Sequence, residues 1–139
     1  MKKVMIFGTF DIVHHGHLSL FKQAKRYGDY LIAVVAQEKR AEEIKKRDLV
    51  HTQKERKEYL ENIRFIDKVV MGDRRDVYKV IRLIKPDVIV LGYDQNKFVN
   101  GLEEKIKDFG LKTKVVRAKP YRSESLKSGK IRKTLEKST

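Results

Sequence analysis

The 139 residues carry 33 Lys and Arg against 19 Asp and Glu, a formal charge of +14, with 40% hydrophobic residues and no cysteine. That length predicts a single domain over residues 1–139 with its own core, and the missing thiols exclude disulfides, thiolate metal ligands and a cysteine nucleophile. The apolar runs are too short for a bilayer span or a signal-peptide core, so the expectation is a cytoplasmic protein with no membrane partner. The charge favours anionic partners, or else reflects the solvated lysine-rich surface of many heat-tolerant proteins.

Along the chain, "KVMIF" (3–7) predicts a first strand that stops at Gly8. The next stretch, "GTFDIVHHGH" (8–17), holds three of the four histidines. A helix follows, with Leu18, Phe21, Ala24 and Tyr27 on one face and Gly28 as its stop signal. "YLIAVVA" (30–36) predicts the second strand, and the charged connection from Gln37 to Val50 is of the kind that carries function. Thr52 with Glu55 spells a capping box ahead of Tyr59, Leu60 and Ile63. "KVVMG" (68–72) reads as a strand and "VYKVIRLIK" (77–85) as a helix; Pro86 then breaks the chain before a strand at Val88–Leu91. Leu102, Ile106 and Phe109 mark a further helix closed by Gly110, "KTKVVRA" (112–118) a fifth strand, and Ile131 with Leu135 a final helix. Short β-branched strands free of polar interruption are covered on both faces, which predicts parallel pairing with helical crossovers. The expected fold is α/β, a single doubly wound Rossmann-like domain with a five-stranded parallel sheet.

In such a sheet, ligands bind beyond the carboxyl ends of the strands. The histidine cluster lies there, directly before a helix N-terminus whose N–H groups and dipole suit an anion such as phosphate. Three other readings stand beside this one. A zinc site would recruit Asp11 but lacks a further cluster of ligands. An acid–base role needs a partner to orient the imidazole. Histidines also simply fill space under turns.

"GTFDIVHHGH" resembles the GTFDxxHxGH signature of the cytidylyltransferase-like nucleotidyltransferase superfamily, with His14, Gly16 and His17 on the HxGH positions and His15 on a variable one. "RSESLKSGKIRKTL" (122–135) is similar to the second motif, ISSTxIR, through Leu126, Ser128, Ile131 and Arg132, with Lys127 and Gly129 where hydroxyl residues are expected. "EIKKRDLVHTQKER" (43–56) resembles the basic loop, Lys45 matching its phosphate-contacting lysine and Arg56 a further candidate. Together the matches span nearly the whole chain. The resemblance implies direct in-line attack on the α-phosphorus of a nucleoside triphosphate with release of pyrophosphate. It assigns catalysis to His14, His17 and Lys45, and nucleotide binding to Gly8, Thr9, Phe10, Gly16, Asp94, Arg122 and Ser128, with Gly8 allowing close approach of the backbone to phosphate. Mg²⁺ or another divalent metal is implied on the phosphates rather than on protein ligands.

"PDVIVLGYDQ" (86–95) and "VVRAKPYRS" (115–123) look most like the archaeal FAD synthases, FMN adenylyltransferases, which implies ATP and FMN as partners. The absence of cysteine departs from that group. The alternative is a CTP-dependent cytidylyltransferase acting on glycerol 3-phosphate or a related alcohol or sugar phosphate. Asp94 and Gln95 either read the base or ribose, or Asp94 caps the following loop. The resemblance also implies a homodimer. With 9% aromatic residues and no base-stacking motif, no nucleic-acid partner is expected.

Overall fold

The computed structural model describes residues 1–11, 13–37, 51–96 and 99–121. Within them the elements are β1 (Lys3–Gly8), α1 (His15–Lys25), β2 (Tyr30–Val35), α2 (Gln53–Glu61), β3 (Lys68–Met71), α3 (Lys79–Ile84), β4 (Val88–Leu91), a 3₁₀ turn (Val99–Gly101), α4 (Leu102–Asp108) and β5 (Lys114–Arg117). The strands form one parallel sheet in the order β3-β2-β1-β4-β5. The predicted doubly wound sheet is therefore the observed one. The final helix expected around Ile131 and Leu135 lies outside the described residues.

Alternation along the strands explains both covered faces. Val4, Ile6, Leu31, Ala33, Val35, Val88 and Val90 point to one side, where Phe21 and Ala24 of α1 and Leu60 of α2 cover them. Met5, Phe7, Ile32, Val34, Ile89 and Leu91 point to the other, under Ile81 of α3 and Leu102 and Ile106 of α4. The central strands β1, β2 and β4 thus bury residues of both parities, and their sequences read as unbroken apolar runs. One predicted face residue differs: Tyr27 lies beyond the end of α1. On α2, Tyr59 turns outward, 58% exposed, toward the His51 ring.

The helix ends follow local chemistry. Thr52 Oγ1 accepts from Glu55 N–H at 3.1 Å while Glu55 Oε1 accepts from Thr52 N–H at 3.0 Å, the reciprocal box read from the sequence. Gly110, at φ +69°, lets its own N–H and that of Leu111 reach back to Lys107 and Ile106, closing α4. Gly28 has a different reason from the one predicted. Helix α1 ends at an ordinary right-handed Arg26, and a Cβ on Gly28 would stand 2.6 Å from the Lys2 carbonyl, so a glycine is needed where the chain passes close under β1.

The two edges of the sheet are finished by opposite chemistry. At the amino edge, strand N–H groups are met by aspartates: Asp29 accepts from Lys2, Asp67 from Leu31 and Asp87 from Lys3. At the carboxyl edge, carbonyls are met by side-chain donors that bridge every pair of neighbouring strands. Gln37 Nε2 donates to Gly72 O (2.7 Å), Arg56 Nη1 to Thr9 O and Ala36 O (both 2.8 Å), Gln95 Nε2 to Phe7 O (3.2 Å), and Arg117 Nη1 to Gly92 O (2.8 Å). These bridges hold the strand ends on which the candidate site stands.

Candidate nucleotide site

The order of the strands reverses at β1, which lies between β2 and β4, so the crevice of an open α/β sheet falls at the carboxyl end of β1. There the chain turns through Thr9 and Phe10. Phe10 is a non-glycine residue at φ +52°, an uncommon conformation that sends its ring back into the core, 5% exposed, against Phe21 and His17. The ring comes to rest over Gly8, where a Cβ would stand 2.8 Å from Phe10 Cζ. Gly8 is thus required by an aromatic ring.

Helix α1 opens with an exchange between two histidines. His14 is the N-cap, and its Nδ1 accepts from Gly16 N–H at 3.0 Å. His17, at N3, turns its Nδ1 back to accept from His14 N–H at 3.2 Å. This is the logic of a Ser/Glu capping box carried out by imidazoles. An Nδ1 that accepts from a backbone N–H holds a lone pair, so each neutral ring carries its proton on Nε2. The two rings lie together, centroids 4.1 Å apart. Gly16 leaves room for this, since a Cβ there would meet His14 Cε1 at 2.7 Å. His15 points away from the pair and lies parallel to Tyr121, 6.2 Å between centroids.

The same geometry bears on the rival readings. An imidazole whose Nδ1 serves the helix cap offers its remaining nitrogen as a donor, which suits an anion at a helix N-terminus with no acidic residue in its first turn. Among the described residues no group of three or more His, Cys, Asp or Glu is close enough to hold a metal ion. Asp11, the carboxylate considered for zinc, accepts from His51 N–H at 2.7 Å through Oδ1, and its carbonyl lies 2.7 Å from His51 Nδ1. His51 thereby ties the start of α2 to the motif loop. The sequence hinted at it only by its place immediately before the Thr52 cap.

Arg56 is 1% exposed and donates to the carbonyls of Thr9 and Ala36. It acts as a clamp under the loop and brings a guanidinium charge beneath it. Asp94 lies on the loop after β4, exposed and without a hydrogen bond among the described residues. Gln95 braces the same loop, its Oε1 accepting from Gly92 N–H at 3.1 Å. The structure thus brings Gly8, Thr9, Phe10, His14, Gly16 and His17 into one turn, with the Asp94 loop on the neighbouring strand. Lys45, Arg122 and Ser128 lie outside the described residues. Two members of the carboxyl edge, Gln37 and Arg117, went unnoticed in the sequence.

Comparison with known proteins agrees with this architecture. Residues 5–134 match the cytidylyltransferase-like family model. The FAD synthase of Ferroglobus placidus is 42% identical over 84% of this chain and 76% of its own length. That of Picrophilus torridus is 36% identical over 96% of this chain and 95% of its own. Among solved structures, a Thermoplasma volcanium protein described as a lipopolysaccharide core biosynthesis protein superposes with a TM-score of 0.81 at 34% identity, covering 87% of this chain and 98% of that one.

Proposed function

Since this chain belongs to the cytidylyltransferase-like family, we propose that it transfers the adenylyl group of ATP to FMN, giving FAD and pyrophosphate. A phosphate oxygen of FMN forms a bond to the α-phosphorus of ATP as the bond from that phosphorus to the β-bridging oxygen breaks. The electron pair leaves on pyrophosphate, and no enzyme-bound intermediate is required. Such chemistry is governed by positioning and by neutralising charge on the phosphoryl oxygens and leaving group. The observation that carries the reading is the reciprocal His14–His17 cap, which leaves both imidazoles protonated on Nε2 at a helix N-terminus.

In this reading His14 and His17 donate to phosphate oxygens, and the backbone around Gly8, Thr9 and Phe10 with Gly16 lines the turn that receives the nucleotide. Asp94 meets the nucleoside, while Lys45, Arg122 and Ser128 bracket the triphosphate as the family resemblance implies. A divalent metal such as magnesium, bound to the triphosphate, would supply charge neutralisation on the phosphates. The choice of FMN and ATP is supported by the FAD synthases of Ferroglobus and Picrophilus, which this chain resembles over most of its length. A homodimer working in the cytoplasm completes the proposal; light scattering on the purified protein tests the dimer. Pyrophosphate release is measured with Mg²⁺, each nucleoside triphosphate in turn, and FMN or glycerol 3-phosphate. Release with ATP and FMN is expected, and release with CTP and an alcohol phosphate instead would overturn it.

A further inference from the structure

At the end of β4 three carbonyls converge on one side chain. Arg117, the last residue of β5, donates through Nη1 to Gly92 O at 2.8 Å, Gln95 O at 2.9 Å and Tyr93 O at 3.3 Å. One nitrogen with two hydrogens then serves three acceptors, which requires the loop Gly92–Gln95 to curl around it. Gln95 fixes the other side of the curl: its Oε1 accepts from Gly92 N–H, and its Nε2 donates to Phe7 O, one residue before Gly8. The loop is therefore tied at one end to the strand that carries the histidine motif and at the other to the edge strand. Asp94, between the tied residues, is exposed and makes no hydrogen bond among the described residues. On its other flank Arg117 lines a cavity of about 290 Å³ with Leu91, Val99, Asn100 and Val115.

We propose that Arg117 is a positioning residue for nucleoside selection. By gathering the Gly92–Gln95 carbonyls it fixes the Asp94 carboxylate where it accepts hydrogen bonds from donor groups of the nucleoside, the ribose hydroxyls or the exocyclic amine. The inference rests on the nucleotidyl-transfer reading of the site. A guanidinium suits the task because its planar head is held rigidly while it reaches several acceptors.

The test compares kcat and KM for ATP, 2′-deoxyATP and ITP in the wild type, Arg117→Ala and Asp94→Asn. Arg117→Ala is expected to raise the KM for ATP about tenfold to a hundredfold, as a small misplacement of a binding group does, with a smaller change in kcat. It should narrow the wild-type preference for ATP, and Asp94→Asn should narrow it against the same analogue. Narrowing against 2′-deoxyATP assigns the ribose; narrowing against ITP assigns the amine. Arg117→Lys, which retains charge without the fork, should recover part of the difference. In the ligand-free protein, amide hydrogen exchange at residues 92–96 should quicken in Arg117→Ala while α1 keeps its protection. If alanine prevents folding, Arg117→Gln, too short to span the three carbonyls, is read in the same way. A folded variant with wild-type KM, wild-type preference and unchanged exchange overturns the proposal. Wild-type protein that makes no FAD sinks the FMN reading instead, and the Arg117 comparison then runs on whichever triphosphate it does use.

Discussion

A methyl group at position 8 would stand 2.8 Å from the ring of Phe10, and one at position 16 would stand 2.7 Å from His14. These two glycines therefore fail in different ways when replaced. Gly8→Ala pushes a buried aromatic ring out of its seat, an overpacking that costs about 1–3 kcal/mol, and denaturant unfolding should read that loss directly. Gly16→Ala displaces a half-buried imidazole instead, so turnover should fall while the unfolding midpoint moves little. His17→Ala removes one donor to the phosphates and is expected to lower kcat by roughly a hundredfold with an unchanged circular dichroism spectrum. At this scale the sequence was readable where a motif packs several roles into ten residues. His14, Gly16 and His17 were found because they stand together. His51 and Arg117 act on carbonyls up to 40 residues away in the chain, and no local spacing marks a side chain whose partner is a remote backbone oxygen.

Single elements were more legible, because periodicity and caps are local. The Thr52–Glu55 box and the Gly110 ending stand where the sequence puts them, and Thr52→Ala should cost about 1 kcal/mol, measured by urea unfolding. One signal in plain view went unused: Asp29, Asp67 and Asp87 each immediately precede a strand, in "GDYLIAVV", "IDKVVM" and "PDVIVL". Each reaches across to an N–H of the neighbouring strand. For Asp67, burial pushes the carboxyl up, but the Leu31 N–H and the Lys25 ammonium together outweigh it and hold the group below the ordinary value of 3.8. A depressed carboxylate contributes stability above its unfolded value, and that contribution drains away as the pH falls through the folded one. Asp67→Asn is thus expected to lower stability at pH 7 and to lose less than the wild type on acidification to pH 3, which parallel urea titrations would reveal.

Across the molecule, these edge residues separate charge along the strand direction. Aspartates finish the amino edge, while Arg56, Arg117 and two glutamine amides finish the carboxyl edge, where bare carbonyls would otherwise face an incoming phosphate. With a formal charge of +14, attraction for a triphosphate should weaken as salt shortens the reach of exposed charges. The KM for ATP is accordingly expected to rise with ionic strength more steeply than kcat falls, as steady-state kinetics between about 0.01 and 0.15 M salt would record. Fold class and parallel pairing were readable because alternating strand and helix signals constrain topology strongly. The finishing of the edges was not, since it depends on which strand ends become neighbours.

The bridge from Gln95 to Phe7 spans 88 residues of chain, and it has a meaning in time as well as in space. The histidine motif precedes β4 and β5 in the chain, so the strand that carries it waits for β4 to occupy its open side and for Arg117 to draw the next loop into shape. A chain that stops short of β5 carries the histidine signature and lacks one strand and one bridge of its frame. The loop beside the histidine motif thus takes its form late, as a property of the finished sheet.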